Sequence, residues 1–251
     1  MVHFVGAGSG AADLITVRGA KLLSEADVII WAGSLVNPAL LTYARPGCEL
    51  HDSARMTLEG VVAVIREAEA AGKTTVRLHT GDPCLFGAVR EQFDALDALG
   101  IEYDVCPGVS AFCGAAAALK CEYTLPEIAQ SVVVARAAGR TPVPDGQAIR
   151  DFAGSGSTLV LFLSAALAQD VQAQLIEGGC SPDTPAAVVC RATWPDEKVL
   201  RCTVGTLAQT VLDNDISKTA LIVVGKALGG YRARSRLYDP GFSTGYREAN
   251  P

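Results

Sequence analysis

The sequence lacks the features that mark several classes of protein. No apolar run reaches the roughly 18 residues that span a bilayer, so no transmembrane helix is predicted. The first residues do not form a charged region followed by an apolar stretch, so we expect no signal peptide and a cytoplasmic location. Internal repeats and low-complexity tracts are also missing.

The chain is short of positive charge. It has 21 Lys and Arg residues against 27 Asp and Glu residues, and its formal net charge is −6. This balance argues against general affinity for nucleic acid or for an anionic membrane. We therefore expect neither of these as a partner.

Metal-binding patterns are missing as well. Eight cysteines are present, but none forms a Cys-x-x-Cys pair. The three histidines, His3, His51 and His79, do not lie at ligand spacing from any cysteine. We expect buried cytosolic thiols and no metal cofactor.

What the chain does contain is enough apolar sequence, 49% of 251 residues, to bury one large core or two small ones. Up to about residue 119, β-rich runs alternate with helical patterns, which predicts a parallel sheet covered by helices. Polar loops follow the predicted strands, and the carboxyl ends of parallel strands share one edge of a sheet. These loops begin near Gly6, Gly33, His51, Thr80 and Pro107.

The pattern changes beyond about residue 120. Strands predicted at 185–192 and 198–202 form a hairpin-like antiparallel pair across the turn 193–197. We therefore predict an α/β fold of two domains, with a parallel sheet in the N-terminal domain and a mixed sheet in the C-terminal one. The predicted bounds are 1–119 and 120–228, with an irregular tail at 229–251.

The central loop of the N-terminal half is Thr80-Gly81-Asp82-Pro83. It ends an apolar β-rich run, so it lies where open α/β sheets bind ligands. Gly81 lets a ligand approach the backbone closely, and the proline restricts Asp82. A tight turn capped by Asp82 is the alternative. Helical periodicity resumes at Ala88, with apolar residues on one face at Val89, Phe93, Leu96 and Leu99.

A second loop, Gly6-Ala-Gly-Ser-Gly10, fits the start of the dinucleotide fingerprint. That fingerprint needs an acid at the end of the next strand. Here the strand ends in Trp31, and its only acid, Asp27, lies at the other end. A nicotinamide-dependent oxidoreductase therefore stays an alternative with an incomplete motif. The helix predicted after the loop has apolar residues at Leu14, Val17, Leu22 and Leu23.

Three stretches resemble, in order and spacing, the motifs of the tetrapyrrole (class III) methyltransferases: Gly6-Ala-Gly-Ser-Gly10, Thr80-Gly-Asp-Pro-Cys-Leu-Phe-Gly87 and Cys106-Pro-Gly-Val-Ser-Ala111. The last predicted strand, 219–225, also matches. Four further stretches, 32–38, 51–57, 191–198 and 235–240, resemble the branch that methylates C11 of precorrin-4 in cobalamin synthesis. The family usually has proline where this chain has Ser9 and often glycine where it has Ala192.

The resemblance implies a homodimer that holds S-adenosylmethionine in a cleft between two α/β domains and methylates C11 of precorrin-4 or its cobalt form. Other precorrin or uroporphyrinogen C-methyltransferases of the family, and a non-enzymatic tetrapyrrole carrier, stay as alternatives. The implied cofactor-binding residues are Ser9, Thr80, Gly81, Asp82, Leu85, Ser110, Ala111, Leu163, Ala192 and Ala220.

Methyl transfer from a sulfonium is an in-line displacement with a neutral leaving group, so positioning and exclusion of water are the main requirements. A weak base could accept a proton afterwards. Asp82 and Asp52 are the catalytic candidates, whereas for His51 we favour loop capping. A precorrin carries many carboxylates, which arginine binds in a bidentate manner. The candidate substrate-binding residues are Ser34, Arg55, Arg136, Arg140 and Arg191.

Overall fold

The computed structural model describes residues 1–230 and 235–250, which form two compact units. Unit 1 comprises Met1–Leu119 together with Arg191–Lys198, and unit 2 comprises the rest. The segment Arg191–Lys198 falls inside the range predicted for the second domain, yet it packs with unit 1. Residues 231–234 and 251, which belong to the predicted tail, lie outside the described residues.

Unit 1 is built on a parallel sheet, as predicted. Its strands are β1 (Val2–Gly6), β2 (Val28–Trp31), β3 (Glu49–Asp52), β4 (Thr75–His79) and β5 (Tyr103–Cys106). They lie in the order β3-β2-β4-β1-β5, and every pairing is parallel. Each carboxyl end therefore points to the same edge of the sheet.

Helices cover both faces of this sheet. They are α1 (Val17–Glu25), α2 (Leu58–Ala70), α3 (Arg90–Leu99) and α4 (Ala111–Leu119). Neighbouring residues of a strand point to opposite faces. Accordingly, Ile29 packs in a cluster with Leu23 of α1. Ile30 packs in a separate cluster with Ile65 of α2 and Leu96 of α3.

Thr57 caps the start of α2, because its side chain accepts a hydrogen bond from the backbone N–H of Gly60. The helix predicted to resume at Ala88 begins at Arg90 instead, since Ala88 has a φ of 48°. Two of the apolar residues in the predicted helical patterns are exposed: Val17 at 90% and Leu99 at 46%.

Unit 2 contains a mixed sheet, again as predicted. Its strands are β6 (Val132–Arg136), β7 (Thr158–Phe162), β8 (Pro185–Cys190), β9 (Lys198–Thr203) and β10 (Ala220–Val224). Their order is β6-β7-β10-β8-β9. β6 and β7 are parallel, whereas β10 is antiparallel to both β7 and β8. The helices are α5 (Ile149–Ala153), α6 (Ala168–Glu177) and α7 (Leu207–Asp213).

Strands β7 and β8 end for a local reason, and β8 is two residues shorter than the predicted 185–192. The residues that follow them, Leu163 and Arg191, have φ angles of 55° and 52°. Such left-handed backbone does not continue a strand. In the part of the chain that the structure describes, no helix is long and apolar enough to cross a bilayer.

Candidate functional site

The loops after β1 and β4 are joined by backbone hydrogen bonds at the carboxyl edge of the unit 1 sheet. Gly8 N–H donates to the Gly81 carbonyl at 3.2 Å, and Gly81 N–H donates to the Gly8 carbonyl at 2.9 Å. The predicted meeting of loops at one edge is therefore observed. Reciprocal backbone bonds make this part of the edge rigid.

Glycine is required where three of these loops meet. A Cβ atom placed on Gly108 would lie 2.2 Å from the carbonyl oxygen of Gly81 and 2.7 Å from the Cα atom of Gly6. No side chain fits at such distances. The sequence predicted that Gly81 lets a ligand approach the backbone closely. In the structure, the backbone of Gly108 makes part of this close approach, and it holds the loops after β1, β4 and β5 together.

The two carboxylate oxygens of Asp82 accept backbone hydrogen bonds from two different loops. Its Oδ1 atom accepts from the Cys84 N–H at 2.9 Å, and its Oδ2 atom accepts from the Gly108 N–H at 3.0 Å. The first bond shapes the loop after β4, and the second ties that loop to the one after β5. The Asp82 carboxylate is therefore fixed by one backbone hydrogen bond at each oxygen, as a positioning group requires.

Asp52, the other catalytic candidate, has a similar capping role between the loops after β2 and β3. Its Oδ1 atom accepts from Gly33 N–H at 3.0 Å and from Ala54 N–H at 2.9 Å. The neighbouring His51 lies 3.9 Å from a carboxylate oxygen of Glu49. Two of the substrate-binding candidates lie in these same loops and are exposed: Ser34 and Arg55.

The segment Arg191–Lys198 lies over the glycine-rich loop of unit 1. The hydroxyl of Thr193 accepts from Ala11 N–H at 3.0 Å and lies 3.1 Å from the hydroxyl of Ser9. A Cβ atom on Gly10 would lie 2.2 Å from the Trp194 ring. The sequence predicted a hairpin turn here with Arg191 and Ala192 as candidate site residues, but no local pattern could reveal a contact between residues so far apart in the chain.

The side chain of Arg191 contacts other residues of this segment. Its guanidinium carbon lies 4.3 Å from the centre of the Trp194 ring, and its Nη1 atom lies 2.9 Å from the carboxylate of Asp196. Its Nε atom is buried and has no hydrogen-bond partner among the described residues. The side chain therefore stabilises the segment that covers the glycine loop, and its role as a substrate ligand stays a prediction.

The cofactor residues implied by the motifs fall in two places. In unit 1 they lie on the loops at the carboxyl edge and in the covering segment: Ser9, Thr80, Gly81, Asp82, Leu85, Ser110, Ala111 and Ala192. In unit 2 they are Leu163 and Ala220. Leu163 directly follows β7, and Ala220 is the first residue of β10, where it pairs with Cys190 of β8. Ser9 and Ser110 are buried, whereas Leu163 is 67% exposed.

Two further arginine candidates lie at the end of β6, where Arg136 is the last residue of the strand, and in the loop that follows it, which contains Arg140. Arg136 donates to the carbonyl oxygens of Ala137 and Thr141, each at 3.2 Å, and of Pro142 at 2.7 Å. Its guanidinium thus closes its own loop. Arg140 lies within that loop and is exposed.

Arg77 and His79 of β4 are buried polar residues to which the sequence assigned no role. They are 7% and 5% exposed. Burial and the nearby charge of Arg77 lower the pKa of His79 to about 3. Burial lowers the pKa of Arg77 to about 10. Their spacing within an apolar run, at alternate positions on one strand face, is the signal that could have indicated a polar site.

The remaining acidic and thiol groups do not form a second site. Asp27 pairs with Arg45 and accepts from Thr74 N–H at 2.8 Å, at the amino end of β2, where it cannot bind a ribose. All eight cysteines are free thiols. Across residues 1–230 and 235–250, no group of three His, Cys, Asp or Glu side chains converges to hold a metal ion.

Known proteins resemble this chain along nearly its whole length. Residues 1–208 match the family of tetrapyrrole (corrin/porphyrin) methylases. A cobalt-precorrin-4 C(11)-methyltransferase of Methanocaldococcus jannaschii is 47% identical over 250 residues, which cover 99% of this chain and 96% of that protein.

Two solved structures extend the likeness to the fold. The crystal structure of a cobalt precorrin-4 methyltransferase, described as a cobalamin biosynthetic enzyme, matches with a TM-score of 0.88 and 44% identity, covering 90% of this chain and 95% of that one. A uroporphyrin-III C-methyl transferase of Thermus thermophilus, in complex with S-adenosyl homocysteine, matches with a TM-score of 0.78 and 26% identity, covering 93% and 95%. The chain belongs to the tetrapyrrole methylase family.

Proposed function

We propose that this protein is an S-adenosylmethionine-dependent C-methyltransferase that methylates C11 of precorrin-4 or of its cobalt complex. The observation that carries the ring position is the 47% identity, over nearly the full length of both chains, to a protein named for that reaction. Membership of a methylase family gives no support to the nicotinamide-dependent alternative.

The groups at the carboxyl edge of unit 1 suit the cofactor. S-Adenosylmethionine supplies a methyl group on a sulfonium, and it also carries hydroxyl, ammonium and carboxylate groups. Thr80, Asp82 and Ser110 offer hydroxyl and carboxylate partners for these groups. The related Thermus thermophilus enzyme was solved with S-adenosyl homocysteine, which supports the same cofactor class here.

The residues of this edge act by positioning. Asp82 accepts backbone hydrogen bonds with both oxygens, so its proposed role is to fix the loops after β4 and β5 and not to abstract a proton. A displacement reaction gains most from holding the reacting atoms in line. The covering segment around Thr193 and Trp194 keeps water away from the glycine loop.

The substrate is a polycarboxylate, and exposed arginines at the loop ends are proposed to bind it. Arg55 and Arg140 have exposed side chains, and a guanidinium binds a carboxylate with two parallel hydrogen bonds. Arg136, Arg191 and Ser34 are proposed to support these contacts. We further propose that the active form is a cytoplasmic homodimer that needs no metal ion of its own.

The reaction is tested with a methyl donor labelled with carbon-13. The purified protein is incubated with the donor and with precorrin-4, metal-free in one sample and cobalt-bound in another. NMR of the product should show the label on C11, and the sample with the greater yield identifies the natural form. Label on a different ring carbon would contradict the ring position and keep the methyltransferase class, whereas an unlabelled macrocycle would favour the carrier alternative.

A further inference from the structure

A cavity of about 340 Å³ lies in unit 1, between the sheet and helices α2 and α3. Ala32, Ser53 and Thr80, which directly follow β2, β3 and β4, line it. It therefore opens at the carboxyl edge, where the loops of the candidate site meet. A water molecule occupies about 30 Å³, so the cavity has room for a flexible side arm. Its apolar walls include Met56, Leu58, Val61 and Phe86.

Arg77 and His79 also line this cavity. They lie two residues apart on β4 and so point to the same face of the sheet. The Nε atom of Arg77 donates to the side-chain oxygen of Gln92 at 3.1 Å. Its Nη1 atom donates to the carbonyl oxygens of Ile30 at 3.2 Å and Leu78 at 3.5 Å. All of these acceptors are neutral.

The charge of Arg77 is therefore not balanced locally. Within the described ranges, no aspartate or glutamate oxygen lies within 4.0 Å of its guanidinium group. Burial lowers the pKa of Arg77 only to about 10, so the group keeps its charge at neutral pH. A buried cation without a negative partner is unfavourable, which makes the cavity attractive to an anion.

His79 provides the second polar group. The residue lines the cavity, and its Nε2 atom is buried and has no hydrogen-bond partner in the part of the chain that the structure describes. The ring is neutral at neutral pH, and a neutral imidazole can carry its proton on Nε2 and donate it. Of the described residues that line the cavity, Glu91 is the one acid, and it is exposed.

We propose that this cavity binds a carboxylate arm of the tetrapyrrole, with Arg77 supplying the positive charge and His79 Nε2–H a hydrogen bond. The inference rests on the proposed function, because it takes the substrate to be a polycarboxylate. Thr80 and Leu85 line the cavity and also belong to the predicted cofactor loop. A carboxylate held here anchors the macrocycle next to that loop, and the apolar walls contact the methylene groups of the arm.

Two variants remove the polar groups and keep the volume: Arg77→Met and His79→Phe. We measure the Kd of uroporphyrin III, a stable tetrapyrrole with carboxylate arms, by fluorescence, and the Kd of S-adenosylhomocysteine by calorimetry. Each variant should weaken uroporphyrin binding about tenfold or more, because it loses a charge-assisted contact with the carboxylate. The Kd of S-adenosylhomocysteine should stay unchanged. Lys73→Met is the matched control, since it removes a half-buried cation of the same unit that pairs with Glu49 and does not line the cavity.

A conservative variant keeps the test decisive if Arg77→Met does not fold. His79→Gln retains an N–H donor, so it should bind uroporphyrin more tightly than His79→Phe does. Equal binding by these two variants, or wild-type binding by all of them, would overturn the proposal. Weaker binding of S-adenosylhomocysteine alone would also overturn it, because the cavity would then belong to the cofactor.

Sodium propionate distinguishes an arm of the substrate from a free anion. In protein labelled with nitrogen-15 in histidine, propionate should shift the His79 resonances and compete with uroporphyrin III. Binding of propionate without competition would assign the cavity to a free anion and overturn the substrate assignment. These outcomes are independent of the methylated carbon: label at another position would reject the proposed reaction and leave the carboxylate contact standing.

Discussion

The Oδ2 atom of Asp82 accepts a hydrogen bond from the backbone N–H of Gly108 at 3.0 Å. These two residues are 26 positions apart and lie on the loops after β4 and β5. Because the other oxygen of Asp82 accepts from Cys84, a single carboxylate sets both the shape of one loop and its distance from the next. The geometry of the candidate site therefore depends on this side chain.

Replacing Asp82 with Ala should impair turnover through lost geometry. Two backbone N–H groups lose their acceptor, and we expect the free energy of unfolding to fall by about 1–3 kcal/mol. Turnover should fall about a hundredfold, the size of effect expected when reacting groups are displaced by about 1 Å. Urea denaturation and a methyl-transfer assay measure the two effects.

Asp82→Asn is the matched control, because an amide keeps one oxygen acceptor of the same shape. It should lose less stability and less turnover than Asp82→Ala. Mass spectrometry should find no covalent adduct in either variant. An Asn variant as inactive as the Ala variant, with stability like that of wild type, would contradict the positioning role and point to a chemical role of the carboxylate.

Much of unit 1 could be predicted because its signals are local. The alternation of β-rich runs and helical patterns sets the parallel sheet, and the Thr57 cap sets the start of α2. The loops at Gly6, Thr80 and Pro107 follow from strand ends alone. The hydrogen bonds of Asp82 were foreseen only as capping within its own turn, and the bond to Gly108 required the sheet order.

Other features depend on tertiary contacts that no local pattern contains. The hydroxyls of Ser9 and Thr193 lie 3.1 Å apart, yet the residues are separated by 184 positions. The sequence therefore assigned the segment around Thr193 to the second domain. The apolar Val17 fits a helix face but is 90% exposed, because it is the first residue of α1 and no other element covers it.

Thr193→Ala tests whether the covering segment holds the glycine loop. The variant removes the hydroxyl that accepts from Ala11 N–H, and unfolding should become easier by about 1 kcal/mol. The KM for S-adenosylmethionine should rise, since Ser9 and its loop lose their anchor. Thr193→Ser keeps the hydroxyl and should behave like wild type. A variant with Ala that keeps the wild-type KM would show that the loop holds its shape without this contact.

The cofactor class is tested by ligand-induced stabilisation. S-Adenosylhomocysteine should raise the melting temperature, and at a hundred times its Kd it should add about 2.7 kcal/mol. NAD and NADP should have no effect, because Asp27 pairs with Arg45 and cannot serve a ribose. Stabilisation by a dinucleotide and not by S-adenosylhomocysteine would falsify the methyltransferase assignment.

Arg136 and Arg140 should differ when each is replaced with Ala. Arg140 is exposed, so its loss should weaken uroporphyrin III binding, by about 1.5–3 kcal/mol if it makes one charge-assisted contact, and leave the melting temperature unchanged. Arg136 closes its own loop, so its loss should lower the melting temperature as well. Binding of S-adenosylhomocysteine is the control for both. Unchanged tetrapyrrole affinity in both variants would leave these arginines with structural or solvated roles only.

The burial of His79 predicts a pH-dependent contribution to stability. Burial, with the charge of Arg77 as a second cause, lowers the pKa of His79 from 6.5 to about 3 in the folded protein. Between these two values the unfolded chain binds more protons than the folded one, so this histidine makes folding less favourable as the pH falls. The contribution is absent above about pH 7 and grows by up to about 1.4 kcal/mol per pH unit below about pH 6.

His79→Gln removes this contribution while other titrating groups remain. Urea denaturation at pH 7.5, 6, 5 and 4 should show that the stability of the variant relative to wild type improves steadily as the pH falls. The difference measured at pH 7.5, where His79 is neutral in both states, supplies the internal reference for any change in packing. A difference that stays constant from pH 7.5 to 4 would mean that the imidazole titrates alike in the folded and the unfolded protein, and it would contradict a lowered pKa of His79.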